Sequence, residues 1–281
     1  SMDARPPCCE GAESISISSS GEEVQGKDFQ LDDGGSISGT VTDQGGFPIV
    51  NMHVYVQSEG CGGDWLGGSN TDSNGVYTIK GVPVGDVYVQ TCSSCSGLNY
   101  IDESYNNKTD CNQADYVTVN LNTDTPGINF QLEPGGSVSG TVKDSGGIAI
   151  TGSEINVDVY SGDPCGENQY VQETPTDTDN GTYTITGLAG GTYYLRTSHN
   201  QTNYVDEWWN GSTDPSDYDC SLAQSITVAL SDTVTDIDFQ LELGGSISGS
   251  VTDADTKIEL EGVCVNANSD RCWGGQHLGG T

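Results

Sequence analysis

Positive charge is what this sequence lacks most. Eight Lys and Arg stand against 41 Asp and Glu, a formal net charge of −33 over 281 residues. A surface of that sign repels nucleic-acid phosphates and anionic membranes, which sets both aside as partners. Histidine is scarce too, and His53, His199 and His277 hold no equivalent positions in the repeats described below. There is no nucleophile elbow, no His pair at metal-ligand spacing, and no glycine loop placed before a helix to cradle phosphate. The expectation is therefore a non-enzymatic protein without a cofactor. No apolar run approaches the roughly 20 residues that cross a bilayer as a helix, so no membrane insertion is expected. No stretch repeats apolar residues at the helical period. What is left is β structure: 39 glycines and 13 tyrosines, with Thr, Ser and Val throughout.

One stretch occurs three times: DFQLDDGGSISGTVTD at Asp28–Asp43, NFQLEPGGSVSGTVKD at Asn129–Asp144, and DFQLELGGSISGSVTD at Asp238–Asp253. The starts lie 101 and 109 residues apart, the mark of tandem copies of one unit. Each stretch alternates apolar and polar residues on both sides of a Gly-Gly pair, as half-buried strands do. The first half reads as the last strand of one copy and the second half as the first strand of the next. Four segments follow: 1–33, the C-terminal strands of a partial copy; 34–134 and 135–243, two complete copies; and 244–281, the N-terminal half of a third. Almost no linker separates them, which implies a rod. Ser14–Ser18 aligns with Tyr116–Asn120 and Ser225–Ala229, and all three read as strands. Within a complete copy, TDSNGVYTIKGVPVGDVYVQT reads as a hairpin opened by the Asn74-Gly75 turn, and CGGDWLGGSN as a glycine-rich loop.

GGSISGTVTDQGGFPIVNMHVYV followed by TDSNGVYTIKGVPVGDVYV resembles the carboxypeptidase regulatory-like repeat, related to the transthyretin-like and Cna-B-like sandwiches. The segment NYVDEWWNG…ITVALSDTVTDIDFQL is similar to forms found in large secreted bacterial surface proteins. The resemblance implies an all-β fold of tandem seven-stranded antiparallel β-sandwich (Ig-like or transthyretin-like) domains, with a spacer, stalk or adhesive role. Some Cna-B-like relatives carry Lys–Asn isopeptide staples. Here Lys80 corresponds to Thr186 and Lys143 to Thr42, so no lysine recurs between copies.

Ten cysteines in a β-rich repeat point to disulfides and an oxidising, extracellular setting. The second complete copy has only Cys165 and Cys220, which correspond to Cys61 and Cys111. That copy selects Cys61–Cys111 in the first and leaves Cys92–Cys95 as a local bridge. A disulfide closing a loop of about 50 residues contributes roughly 4 kcal/mol on the chain-entropy view. Cys8, Cys9, Cys264 and Cys272 remain. Cys9 sits at the Cys111 position and Cys272 at the Cys61 position, so the two halves of the repeated bridge lie in opposite partial copies. Two readings follow: a window of a longer array, or chains joined head to tail by bridges between molecules, an open-ended association that gives a filament.

The remaining candidates are smaller. Asp72 and Asn74, and Asp177 and Asp179, bring oxygens together as calcium ligands do, but position twelve is Pro83 or Leu188 where a calcium loop needs Glu. Sequons stand at Asn107, Asn180, Asn200 and Asn210. Trp208 and Trp209 are candidates for stacking on a surface glycan or protein, against the simpler role of covering one end of a core. The leading reading is a surface-fibre subunit whose partner is itself, head to tail. The alternatives are an adhesin module or spacer repeats of a larger secreted protein.

Overall fold

The structure is a computed structural model, and it describes residues 14–28, 30–198, 202–211, 219–268 and 277–280. The first complete copy contains β1 (Gly35–Asp43), β2 (His53–Gln57), β3 (Trp65–Asn70), β4 (Val76–Val82), β5 (Gly85–Cys92), β6 (Val117–Val119), β7 (Asp124–Thr125) and β8 (Phe130–Leu132). One sheet runs β4-β1-β7, with β8 also on β1; the other runs β3-β2-β5-β6. Alternate residues turn inward. Ile37 and Val41, Val54 and Val56, Tyr77 and Ile79, Val87 and Val89, and Phe130 and Leu132 fill one core between the sheets. The Tyr77 hydroxyl, carried deep into it, donates to the Ile128 carbonyl at 2.6 Å.

The second copy repeats the plan with β9 (Gly136–Asp144), β10 (Asn156–Gly162), β11 (Asn168–Pro175), β12 (Thr182–Leu188), β13 (Gly191–Ser198), β14 (Ile226–Val228), β15 (Thr233–Val234) and β16 (Phe239–Leu241). Its sheets are β12-β9-β15, with β16 on β9, and β11-β10-β13-β14. Tyr183 donates to the Ile237 carbonyl at 2.6 Å, as Tyr77 does in the first copy.

All-β sandwiches stand, with three corrections. The expected hairpin is none: β4 pairs with β1 and β5 with β2, so the chain crosses from one sheet to the other between them. Alternation tells which residues turn inward, not which sheet receives the strand. The expected glycine-rich loop contains β3, and the matching region of the second copy contains β11. Gly68 lies so close to β2 that a Cβ would stand 2.8 Å from the His53 ring, so this glycine marks close strand approach. Lastly, the seven-stranded antiparallel expectation becomes eight strand segments, and the final two pair parallel to the first strand, with Val41 opposite Phe130 and Val142 opposite Phe239. A residue in the left-handed region splits this last strand in each copy, Gly127 at φ 82° and Asp236 at φ 63°.

By contact the chain divides into Ser1–Glu242 and Leu243–Thr281. Inside the first of these, the two complete copies meet without a linker. Asn99 Oδ1 accepts from Gly187 N at 2.8 Å, and the Asn99 carbonyl accepts from Gly135 N at 3.0 Å. A Cβ on Gly135 would stand 2.6 Å from Gly187 Cα, so both glycines belong to the joint.

The partial copies differ from the expectation. Residues 14–28 and 30–34 carry no strand, and Ser14–Ser18 is exposed throughout. In the third copy Gly245–Val251 is likewise strandless. Among the described residues of that copy, a bridge between Thr252 and Glu259 and the short pair β17 (Asn266–Asn268) and β18 (His277–Gly280) form. The pattern is present, but among the described residues no neighbouring strand completes its ladder.

Candidate functional site

Two stapled loops occupy equivalent places in the complete copies. Cys61, in the β2–β3 loop, joins Cys111 at a separation of 50 residues, and Cys165 joins Cys220 at 55. Each second cysteine opens a short 3-10 turn before the sixth strand, capped by the preceding aspartate. Asp110 Oδ1 accepts from Asn112 N, and Asp219 Oδ1 from Ser221 N, both at 2.9 Å. The bond from Asn112 N holds the Asp110 carboxyl below the usual aspartate range, and bonds from the Ser221 side chain and then its backbone do the same for Asp219. Cys61, Asp110 and Cys111 gather in one place, but both sulfurs are spent in the disulfide. Cys92 joins Cys95, the local bridge of the first copy. Three disulfides point to an extracellular protein. Cys264 is exposed, while Cys8, Cys9 and Cys272 lie outside the described residues.

The calcium candidates are exposed and engaged in their own turns. Asp72 Oδ1 accepts from Val76 N at 2.9 Å and Asn74 N at 2.8 Å, which lowers its pKa. Asp177 Oδ1 accepts from Asp179 N at 2.8 Å. Of the sequons, Asn107 and Asn180 are exposed, Asn210 is half-buried, and Asn200 lies outside the described residues. Asn180 Oδ1 accepts from Thr182 Oγ1 at 2.6 Å, a bond inside its own sequon.

Trp208 is corrected as a ligand contact. It is 3% exposed, and its ring lies 5.2 Å from that of Tyr160. The Arg196 guanidinium stands 5.5 Å from the Trp208 ring and 5.3 Å from the Tyr160 ring, and its Nη2 pairs with buried Asp158 Oδ2 at 3.0 Å. Ser198 Oγ donates to the other Asp158 oxygen at 2.9 Å. Trp209 is half-buried against the second core. At the matching positions the first copy carries a neutral network: Tyr55 donates to Gln90 Oε1 at 3.1 Å, and Gln90 Nε2 to the Gly60 carbonyl at 2.5 Å. Arg196 went unnoticed in the sequence; its one signal is a cation, among only eight, inside the TYYLRTS alternation. Trp65, on β3, is exposed.

Near the joint, burial pushes the Asp102 carboxyl up to about 6, against bonds from Ser93 N at 2.6 Å and Thr91 Oγ1 at 3.1 Å. Glu103 is raised by burial and then by the charge of Glu133.

Residues 36–133 match the family described as the carboxypeptidase regulatory-like domain. No curated protein matches the chain. Among solved structures, the chain is similar to the shaft pilin SpaA of Lactobacillus rhamnosus GG, at 10% identity and TM-score 0.31, over 76% of this chain and 100% of that one. The minor pilin GBS52 of Streptococcus agalactiae gives 12% and 0.29, over 77% and 99%. The Bacillus anthracis TIE protein gives 13% and 0.30; the match covers 89% of this chain but 41% of that protein. The fold assignment rests on the strand pairing and the family match, not on these likenesses.

Proposed function

We propose that this chain is a non-enzymatic, extracellular structural segment of a surface fibre, stacked head to tail with further copies of itself through its partial end copies. One observation carries the reading: core positions of the complete copies stand exposed in the partial ones. Ile247, Val251, Leu260, Val263 and Val265 are open, where Ile37, Val41, Ile49, Met52 and Val54 are buried. Ile15, Ile17 and Leu31 are open, where Val117, Val119 and Leu132 are buried. The first set belongs to opening strands and the second to closing strands, so the tail of one chain complements the head of another. Such a contact is heterologous and open-ended, which makes fibres. The unlinked joint at Asn99 supports a stiff shaft, and the disulfides suit an oxidising surface.

Sedimentation velocity over a concentration series, with negative-stain images of the most concentrated sample, tests this. The expected result is a ladder of growing oligomers and thin fibres. One monomeric species throughout contradicts it. The exposed Trp65 favours a second reading, an adhesin module; retention on a glycan array would support that one.

A further inference from the structure

We propose that the first strand of the third copy, Gly245–Asp253, is the acceptor for residues 17–31 of a second copy of this chain, in one defined register. The inference rests on the fibre reading and names its contact. The guide is what glycines in the first strand make room for. At Gly39 a Cβ would run into the Ile128 carbonyl, and at Gly140 into the Ile237 carbonyl. At Gly35 it would meet Val119 and the Asn120 carbonyl, and at Gly136 Val228 and the Ala229 carbonyl. In both complete copies, then, the closing strands press on the first strand at two glycines. The third copy keeps both, as Gly245 and Gly249, yet among the described residues nothing comes within 4 Å of a Cβ at either. Neither Gly245 nor Gly249 has a left-handed φ, so backbone conformation does not account for glycine there.

The repeat alignment identifies what fills these spaces. Lys27 stands where Ile128 and Ile237 stand, and Ile17-Ser18 where Val119-Asn120 and Val228-Ala229 stand. The register follows from β8 on β1, where Gln131 lies opposite Thr42 and Leu132 opposite Asp43. Gln30 therefore comes opposite Thr252, and Leu31 opposite Asp253. A side-chain bond adds direction. Asn129 Oδ1 accepts from Thr40 N at 2.9 Å, and Asp238 Oδ1 from Thr141 N at 2.8 Å. Asp28 of the incoming chain accepts from Ser250 N in the same way. The occupant brings main-chain pairing for affinity and the Leu31 and Ile17 side chains for specificity, as strand addition requires. Leu31, 87% exposed, then comes beside Val251, 37% exposed, as Leu132 shares the first core with Val41.

The test is a fluorescent peptide of residues 14–33 titrated into the full chain, beside the Gly249→Val variant, with sedimentation of both proteins. Because space is open at Gly249, the substitution leaves the unassociated chain unchanged, which its circular dichroism and melting check. The expected results are saturable peptide binding, weakened at least tenfold in Gly249→Val, and loss of wild-type oligomers in the variant. Absence of peptide binding, or equal binding by the variant, overturns the inference. Fibres that form equally well with Gly249→Val overturn this contact and leave the fibre reading standing. A chain that stays monomeric yet binds the peptide at Gly249 upholds the contact and removes the fibre.

Discussion

GGSISGTVTD at Gly34–Asp43 and GGSISGSVTD at Gly244–Asp253 differ only in Thr40 and Ser250. The first holds a nine-residue strand with Ile37 at 0% exposure; the second carries no strand over Gly245–Val251, and Ile247 is 92% exposed. Local preference is the same in both, so the difference lies in the neighbours. β1 is held by β4 on one side and by β7 and β8 on the other, and among the described residues Gly245–Val251 pairs with no such strand. Alternation decides which face of a strand is buried. Whether the strand exists depends on the ladder beside it.

Substitutions can break this contrast, beginning with the largest effect. Gly39→Val drives a side chain into the Ile128 carbonyl, and the first copy is expected to lose cooperative folding in thermal unfolding, while Gly249→Val leaves the melting curve unchanged. Phe130→Ala removes a buried ring from β8 and is expected to cost about 3–5 kcal/mol in urea unfolding; Leu31→Ala, at a side chain 87% exposed, costs under about 0.5 kcal/mol in dilute protein.

The complete copies sharpen the contrast further. Arg196→Met leaves Asp158 as a buried, uncompensated charge and is expected to cost about 3 kcal/mol, where Gln90→Met, in the neutral network, costs about 1 kcal/mol. Asn99→Ala removes the Gly187 bond and is expected to cost about 1 kcal/mol, with a broader angle between copies seen by small-angle scattering.

The smallest effect concerns pH. The folded pKa of Asp102, about 6, lies above its ordinary value, so its contribution is present in acid and is lost as pH rises through 6. The difference in melting temperature between wild type and Asp102→Asn is expected to move in favour of wild type from pH 7 to pH 5. A constant difference refutes that.

Much of the fold was legible because the chain carries its own alignment. The recurring GGS stretch marked β1 and β9, and the simpler cysteine content of the second copy picked the pairing that the structure also shows for Cys61 and Cys111. The rest depended on distance relations that no local pattern encodes. β3 was hidden because Gly67 and Gly68 read as loop, whereas Gly68 is there for strand approach. The β4–β5 crossing looks like a hairpin until each strand's partner is known. Trp208 looked available for a ligand because its cover, Tyr160 and Arg196, lies far away in sequence. Gly245–Val251, strandless with the same sequence pattern, shows the same limit from the other side.

Hydrogen exchange along Ser246–Thr252, compared with Ser36–Thr42 at low and high protein concentration, shows whether a neighbouring chain supplies the missing ladder. Ser36–Thr42 is expected to be protected at every concentration, and Ser246–Thr252 to exchange freely when dilute and to become protected as chains associate. Rapid exchange of Ser246–Thr252 in concentrated, associated protein would contradict it.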